Sequence, residues 1–415
     1  MLSVEEALKL VKQHARPLAP RRVALDDAAE LVLAEKVTSS VNSPPYDKTL
    51  MDGYAVVSSD RTEVREVLEE VGAGSVPRRP VTPGTATRLM TGAPLPEGAD
   101  AVIAFEETES IDDRTVRFLQ TDPAPGQHIL AMGAALRIGQ PVFEPGIVLR
   151  PIEIGILAEI GHAVVSVQPR PRVAVLATGN ELVAASENPA AGQIRNSNGP
   201  MLAAAIARAD GAAIELPVAR DDRQELQRLI SEGLDADVLL LCGGVSAGKF
   251  DLVPDALAEL GVEQVFHKVA LRPGKPLWFG VKKFADRQVL AFGLPGNPVS
   301  SLVCFELFAR PTIAALAGRG FAAAPLVAAR LSHDFQYKGG RASCLPARLS
   351  ATEITPPPPG ESVGSSSDGD LPWVEILPWH GSADLAALAR ANALVRLGTK
   401  PERLLAGARI DAMCV

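Results

Sequence analysis

Three segments of this 415-residue chain place glycine, proline and polar side chains directly after apolar runs. Arg172-Val173-Ala174-Val175-Leu176 leads into Ala177-Thr178-Gly179-Asn180-Glu181. Asp237-Val238-Leu239-Leu240-Leu241 leads into Cys242-Gly243-Gly244-Val245-Ser246-Ala247-Gly248-Lys249-Phe250-Asp251. The third segment is Phe292-Gly293-Leu294-Pro295-Gly296-Asn297-Pro298-Val299-Ser300. If the apolar runs are strands of a parallel sheet, their C-terminal ends share one edge and the three turns converge there. Glycine lets the backbone approach a ligand closely, and a helix N-terminus offers unpaired N–H groups to an anion. The chemistry expected is a pocket for phosphate or another oxyanion. Any one turn alone is ordinary strand-to-helix punctuation. Convergence is what argues for a site.

Charge gathers beside the same edge. Arg272-Pro273-Gly274-Lys275-Pro276 is a stiff turn that presents Arg272 and Lys275. Lys268, four residues before Arg272, is expected on the same strand face by the period of two. Beside an anion pocket these cations read as binding groups rather than as a solvated hairpin. Glu181, Asp221 and Asp251 supply carboxylates of the kind that hold Mg²⁺ near phosphates. Asp222 reads as a helix N-cap, whereas for Asp221 capping and ion binding both stand. Met51-Asp52-Gly53-Tyr54-Ala55 and Met90-Thr91-Gly92-Ala93-Pro94 indicate only tight turns. The six histidines have no i, i+4 pair, and the four cysteines lack zinc-ligand spacing.

The elements that must carry these residues fall into regions of different texture. A length of 415 residues calls for several domains, because a single core rarely exceeds about 250–300 residues. Residues 1–45, with 140–170, are expected to form a helical linking domain. Ser3 caps its first helix, and the run Pro151–Ala158 packs back against that helix. Residues 46–139, rich in Val, Thr, Gly and Pro, read as a β-rich module. Residues 171–320 alternate strands with helices near 199–209, 222–233 and 251–260, the pattern of a mainly parallel sheet covered on both faces. Residues 321–415 turn β-rich again around a low-complexity, disordered loop near 355–372. The expected fold class is multidomain α/β plus β. It has a central three-layer α/β domain with a mainly parallel sheet, a separate β-rich module and a C-terminal β-barrel-like domain. A net charge of −8 argues against nucleic acid and acidic membranes as partners, and no long uninterrupted apolar run suggests a membrane span. A cytoplasmic protein with reduced, mostly buried thiols is expected.

Taken together and in order, several phrases resemble the molybdopterin molybdenumtransferase family, that of bacterial MoeA and the C-terminal domain of gephyrin. They are Met51-Asp52-Gly53-Tyr54-Ala55, Met90-Thr91-Gly92-Ala93-Pro94 with Glu97-Gly98-Ala99-Asp100, Thr178-Gly179-Asn180-Glu181-Leu182 and Asn196-Ser197-Asn198. Gly243-Gly244-Val245-Ser246, Pro273-Gly274-Lys275-Pro276 and Leu294-Pro295-Gly296-Asn297-Pro298-Val299-Ser300 complete the series. Gly340-Arg341-Ala342-Ser343 and Gly381-Ser382-Ala383-Asp384 add to the likeness near the C-terminus. The resemblance implies a homodimer of four-domain subunits in which the α/β domain of one faces the β module of the other. It implies that molybdate enters adenylylated molybdopterin, giving molybdenum cofactor and AMP with Mg²⁺. Asp52, Thr91, Glu181, Asp221 and Asp251 would be the functional polar residues, the last three holding the cation. Gly179, Asn198, Gly243, Gly244, Ser246, Pro295, Gly296, Asn297 and Pro298 would receive pterin and phosphate. Lys268, Arg272, Lys275 and Ser300 would meet anionic groups, molybdate among them. The pterin adenylyltransferase and downstream cofactor enzymes are the implied transient partners.

One departure stands out. Where the family commonly has glycine followed by two acids, this chain reads Gly133-Ala134-Ala135-Leu136. A metal or hydrolytic role at that position does not carry over. The missing acids motivate an alternative, a paralogue that binds pterin or a protein partner without turnover. A pterin adenylyltransferase is a further alternative, and the full β module with Asp52 and Thr91 argues against it.

Overall fold

Alternation along single strands sets the architecture of the central domain. In the strand Arg172–Ala177, Val173 and Val175 join one buried cluster while Ala174 and Leu176 join another. A strand buried on both faces requires helices on both sides. The computed structural model describes residues 1–244, 252–322, 325–350 and 371–415. They divide into two compact units, residues 22–166 and residues 1–21 with 167–415.

In the larger unit a six-stranded sheet runs in the order Ala212–Glu215, Arg172–Ala177, Val238–Cys242, Gln288–Leu294, Trp278–Lys283, Glu263–His267. Neighbours are parallel up to Gln288–Leu294, and the last two pairings are antiparallel. Helices Arg223–Gly233 and Val253–Glu259 cover one face through Leu226, Leu229, Ile230, Ala256 and Leu257. On the other face lie the helix Asn198–Arg208 and the helical stretch Pro298–Leu316. That stretch is long and apolar enough to cross a membrane, yet 83% of its apolar window is buried inside the unit, as in a core helix. The expected three-layer domain with a mainly parallel sheet is formed.

The N-terminal helix Val4–His14 is closed by a capping box between Ser3 and Glu6. Its buried residues Val4, Ala7 and Val11 join the cluster that holds Val173, Phe279 and Phe305. This corrects the expected partnership with the 151–159 helix. The apolar stripe of Val4–His14 is taken up by the α/β core. The expected helical character of residues 1–45 also ends at His14, because Pro17 and Pro20 stop the helix. Short strands follow, Arg21–Ala24, Val32–Leu33 and Val37–Thr38.

Residues 22–166 contain a mixed six-stranded sheet in the order Ala101–Ala104, Gly53–Val56, Thr85–Leu89, Val64–Val71, Thr115–Phe118, Thr108–Asp112. Gly53 pairs with both Leu89 and Ala104. A Cβ there would stand 2.2 Å from the Ile103 carbonyl oxygen, so only glycine fits.

Near the C-terminus the strands Leu326–Leu331, Ala342–Leu349, Trp373–Ile376, Ala393–Leu397 and Arg409–Cys414 close into a barrel. Closure comes from Ala342–Leu349 pairing with both Trp373–Ile376 and Ala393–Leu397. Apolar side chains such as Leu345, Val374, Val395 and Ile410 fill it. The short strand Leu271–Arg272 pairs with the same barrel strand, Arg272 opposite Ser343. The loop expected near 355–372 falls almost entirely outside the described residues.

Candidate functional site

The three turns lie on one edge. Ala177 pairs with Cys242, and Cys242 with Leu294, so three adjacent parallel strands end at the same level. Backbone bonds extend the ladder into the turns: Thr178 N–H donates to the Cys242 carbonyl, and Gly243 N–H to the Leu294 carbonyl. Gly243 and Gly244 both have positive φ, and a Cβ on Gly243 would stand 2.7 Å from the Thr178 carbonyl oxygen. A Cβ on Gly296 would meet the Cα of Gly243 at 3.7 Å, which brings the second and third turns into contact. Asn198, at the start of its helix, donates from Nδ2 to the Gly296 carbonyl at 2.7 Å. Its Oδ1 and the Thr178 Oγ1 are buried without a hydrogen-bond partner among the described residues. Buried polar atoms of this kind are suited to hydrogen-bond a ligand seated at the turns.

Basic groups stand beside this edge. A cavity of about 620 Å³ is lined by Arg272, Lys275, Pro295, Asn297 and Ser300 from the turns, and by Arg341, Trp379, His380 and Ser382 from the C-terminal region. Arg272 and Lys275 are exposed, and neither has an acidic partner among the described residues. Arg341 is anchored by a bond from its guanidinium to the Leu271 carbonyl at 3.1 Å. Asn297 donates to Ser382 Oγ at 2.9 Å, and Val299 N–H to the Ser382 carbonyl at 3.1 Å. His380 Nδ1 lies 3.1 Å from Asp384 Oδ2, and the His380 backbone N–H donates to the same oxygen at 2.9 Å. These bonds, with one from Ala387 N–H, hold the Asp384 carboxyl below the ordinary range. Gly274, at φ +126°, packs so closely that a Cβ would meet Cys304 Sγ at 2.8 Å.

Among the expected residues, Lys268 differs. It has φ +76° and lies between the strands Glu263–His267 and Leu271–Arg272, so no continuous strand relates it to Arg272. The period-two argument therefore fails, and Lys268 does not line the cavity. Glu181 curls back over Gly179, where a Cβ would meet its carboxylate at 2.4 Å. Asp221 is fixed through its backbone N–H, which donates to Asn180 Oδ1 at 3.1 Å, while Asp222 caps the helix Arg223–Gly233 as expected. Neither Glu181 nor Asp221 has a hydrogen-bond or ion-pair partner for its carboxylate among the described residues. No group of three or more metal-binding side chains occurs among those residues. Ser246 and Asp251 lie outside them.

In the unit 22–166, Asp52 precedes Gly53 and Thr91 follows the paired strand Thr85–Leu89. Asp52 Oδ1 accepts from Thr91 Oγ1 at 2.7 Å and from Thr91 N–H at 2.6 Å. The side-chain bond and then the backbone bond hold the Asp52 carboxyl below its ordinary value, with Arg88 adding a smaller pull. The Gly133-Ala134-Ala135 turn keeps its backbone anchors, Gly133 N–H to the Pro44 carbonyl and Ala135 N–H to the Ser43 carbonyl.

Sequence reasoning gave no role to Thr178, Arg341, Trp379, His380 or Ser382. The Gly340-Arg341 and Gly381-Ser382 phrases were visible, but only the pairing of Arg272 with Ser343 and the Asn297–Ser382 bond bring them to the cavity.

Comparison with known proteins agrees with this geometry. Residues 2–161 match the model of the MoeA N-terminal region (domain I and II), and residues 174–315 match the probable molybdopterin binding domain. A molybdopterin molybdenumtransferase of Staphylococcus aureus is 31% identical over 422 residues, covering 99% of this chain and 94% of that one. Molybdopterin molybdenumtransferase 2 of Mycobacterium tuberculosis is 37% identical over 329 residues, 75% of this chain and 79% of that one. The crystal structure of the molybdopterin biosynthesis MoeA protein from Pyrococcus horikosii superposes with a TM-score of 0.80 at 30% identity, covering 100% of this chain and 99% of that one. With both units matched in order and identity sustained over nearly its whole length, this chain belongs to the molybdopterin molybdenumtransferase (MoeA) family.

Proposed function

We propose that the rim where the three turns meet the basic cavity is where this transferase inserts molybdate into the dithiolene of adenylylated molybdopterin, with release of AMP. The observation that carries this reading is the convergence of Arg272, Lys275, Ser300, Arg341 and Ser382 on one cavity beside the glycine turns. Guanidinium, ammonium and hydroxyl donors suit a tetrahedral dianion. The glycine turns, with Asn198 and Thr178, supply backbone approach and polar atoms that have no partner among the described residues, for the phosphates and pterin.

Glu181 and Asp221 fit a hard cation such as Mg²⁺, because they bring carboxylate oxygens that no protein group occupies among the described residues. When bound, the ion would neutralise phosphate charge at the anhydride. Asp251, which ends the second glycine-bearing segment in the sequence, would join that set. Asp52, kept ionised by Thr91, would reach the rim from the β module of a second subunit, the chain working as a cytoplasmic homodimer of four-domain subunits. Lys268 retains only a peripheral, electrostatic part. The adenylyltransferase that supplies the pterin and the enzymes that take the finished cofactor would be transient partners.

The alternative is a pterin-binding paralogue without turnover, and it rests on Ala134 and Ala135. One experiment separates the two. Purified protein is incubated with adenylylated molybdopterin, Mg²⁺ and molybdate, and AMP and molybdenum cofactor are quantified. Production of both is expected. Binding of the pterin with neither product would overturn the catalytic reading.

A further inference from the structure

His380 lines the basic cavity together with Arg272, Lys275, Ser300, Arg341 and Ser382. Its ring is 95% exposed, whereas its partner Asp384 is only 14% exposed. Asp384 is held in turn by the Ala387 N–H at 3.0 Å, so the carboxylate is fixed and the ring hangs from it by Nδ1. Nε2 has no partner among the described residues, and the other polar side chains of the cavity are guanidinium, ammonium, hydroxyl and amide groups. Every other cavity residue that could bind an oxyanion is a poor proton donor near neutral pH. An imidazole oriented by a carboxylate is the group suited to move a proton there.

Molybdate insertion requires such a group. Two Mo–S bonds form and one Mo–O bond breaks. Both thiol protons of the substrate leave with that oxygen as water, and molybdenum keeps its oxidation state. An oxide cannot depart unprotonated. We propose that His380 is a catalytic proton carrier for this step. Its Nε2 passes a proton to the departing molybdate oxygen and regains one released by a substrate thiol, so the residue ends as it began. Asp384 is the positioning residue. Its carboxylate, fixed by the Ala387 N–H, holds the ring by Nδ1 and leaves the Nε2 end turned away from it.

This inference rests on the molybdate site proposed above, and its test separates the two. Insertion is followed with purified protein, adenylylated molybdopterin and molybdate across pH for the wild type, His380→Gln and His380→Gly. The expected result for His380→Gln is a fall in kcat of about 100-fold, with little change in the KM for molybdate. The limb of the wild-type profile that titrates as an imidazole should vanish. Added imidazole should restore part of the activity of His380→Gly, a rescue that a purely structural role would not allow. The proposal is overturned if the wild type turns over and His380→Gln keeps its kcat and pH profile, or if imidazole rescues nothing. A wild type that inserts no molybdate at all would remove the site reading itself, and this step with it.

Discussion

At the scale of single residues, Asp52 is the acid whose state the structure explains most fully. Two donors from Thr91 converge on one of its oxygens and hold its pKa down. A depressed carboxyl pKa favours the folded chain above the unfolded value, near about 4, and that contribution fades as pH falls through the lowered folded value. Thr91→Val removes the side-chain bond, the larger cause of the lowered value. The Asp52 titration midpoint should therefore move up, which the carboxyl-carbon chemical shift followed against pH would register. A midpoint left in place would mean the hydroxyl has no part in it. Asp52→Asn retains the acceptor oxygen but not the charge. Molybdenum insertion should be lost while the circular dichroism spectrum and unfolding temperature stay near wild type. Near-normal cofactor output from this variant would remove Asp52 from the site.

At the scale of elements, close approach rather than flexibility explains the glycine of the Asp52-Gly53 turn. Gly53 backs onto the strand Ala101–Ala104, and Gly53→Ala would drive a methyl group into the Ile103 carbonyl. Overpacking of this kind costs about 1–3 kcal/mol, and a rigid backbone neighbour puts the change at the upper end. Denaturant unfolding of the variant should show a lower midpoint, and an unchanged midpoint would contradict the geometry. A second element depends on charge. Glu306 is 1% exposed, within the π-helical segment Phe305–Ala309, and pairs with Arg208 at 3.2 Å and Arg310 at 2.7 Å. This ties the helix Asn198–Arg208, which starts at the site, to the stretch that carries Ser300. Glu306→Gln should cost about 2 kcal/mol, below the figure for a wholly buried pair because Arg208 is 54% exposed. Thermal unfolding would measure it.

At the scale of the whole molecule, the proposed sharing of each site between two subunits can be tested by complementation. Asp52→Asn and Lys275→Ala should each be inactive as homodimers. A mixed dimer would carry both lesions at one site and neither at the other. Mixed in equal amounts and allowed to exchange, the variants should recover about a quarter of wild-type activity. No recovery despite confirmed exchange would place Asp52 and Lys275 at one site within a single subunit. Much of the α/β domain was legible in the chain itself. Runs such as Val238–Cys242 are apolar at every position, which only a strand covered on both faces tolerates, and the glycine turns at their ends follow from chain geometry alone. The Asp222 and Ser3 caps were equally local. Other features required the fold. The helix Val4–His14 has an apolar stripe that would suit any core, and only packing decided that it serves the α/β sheet. Lys268 looked in phase with Arg272 until a left-handed bend broke the strand between them. Arg341, His380 and Ser382 reach the cavity through pairings that span from about 70 to 85 residues of sequence. Local composition dictates which way a short segment folds. Which distant segments meet depends on the register and closure of the barrel, a property of many weak contacts acting together.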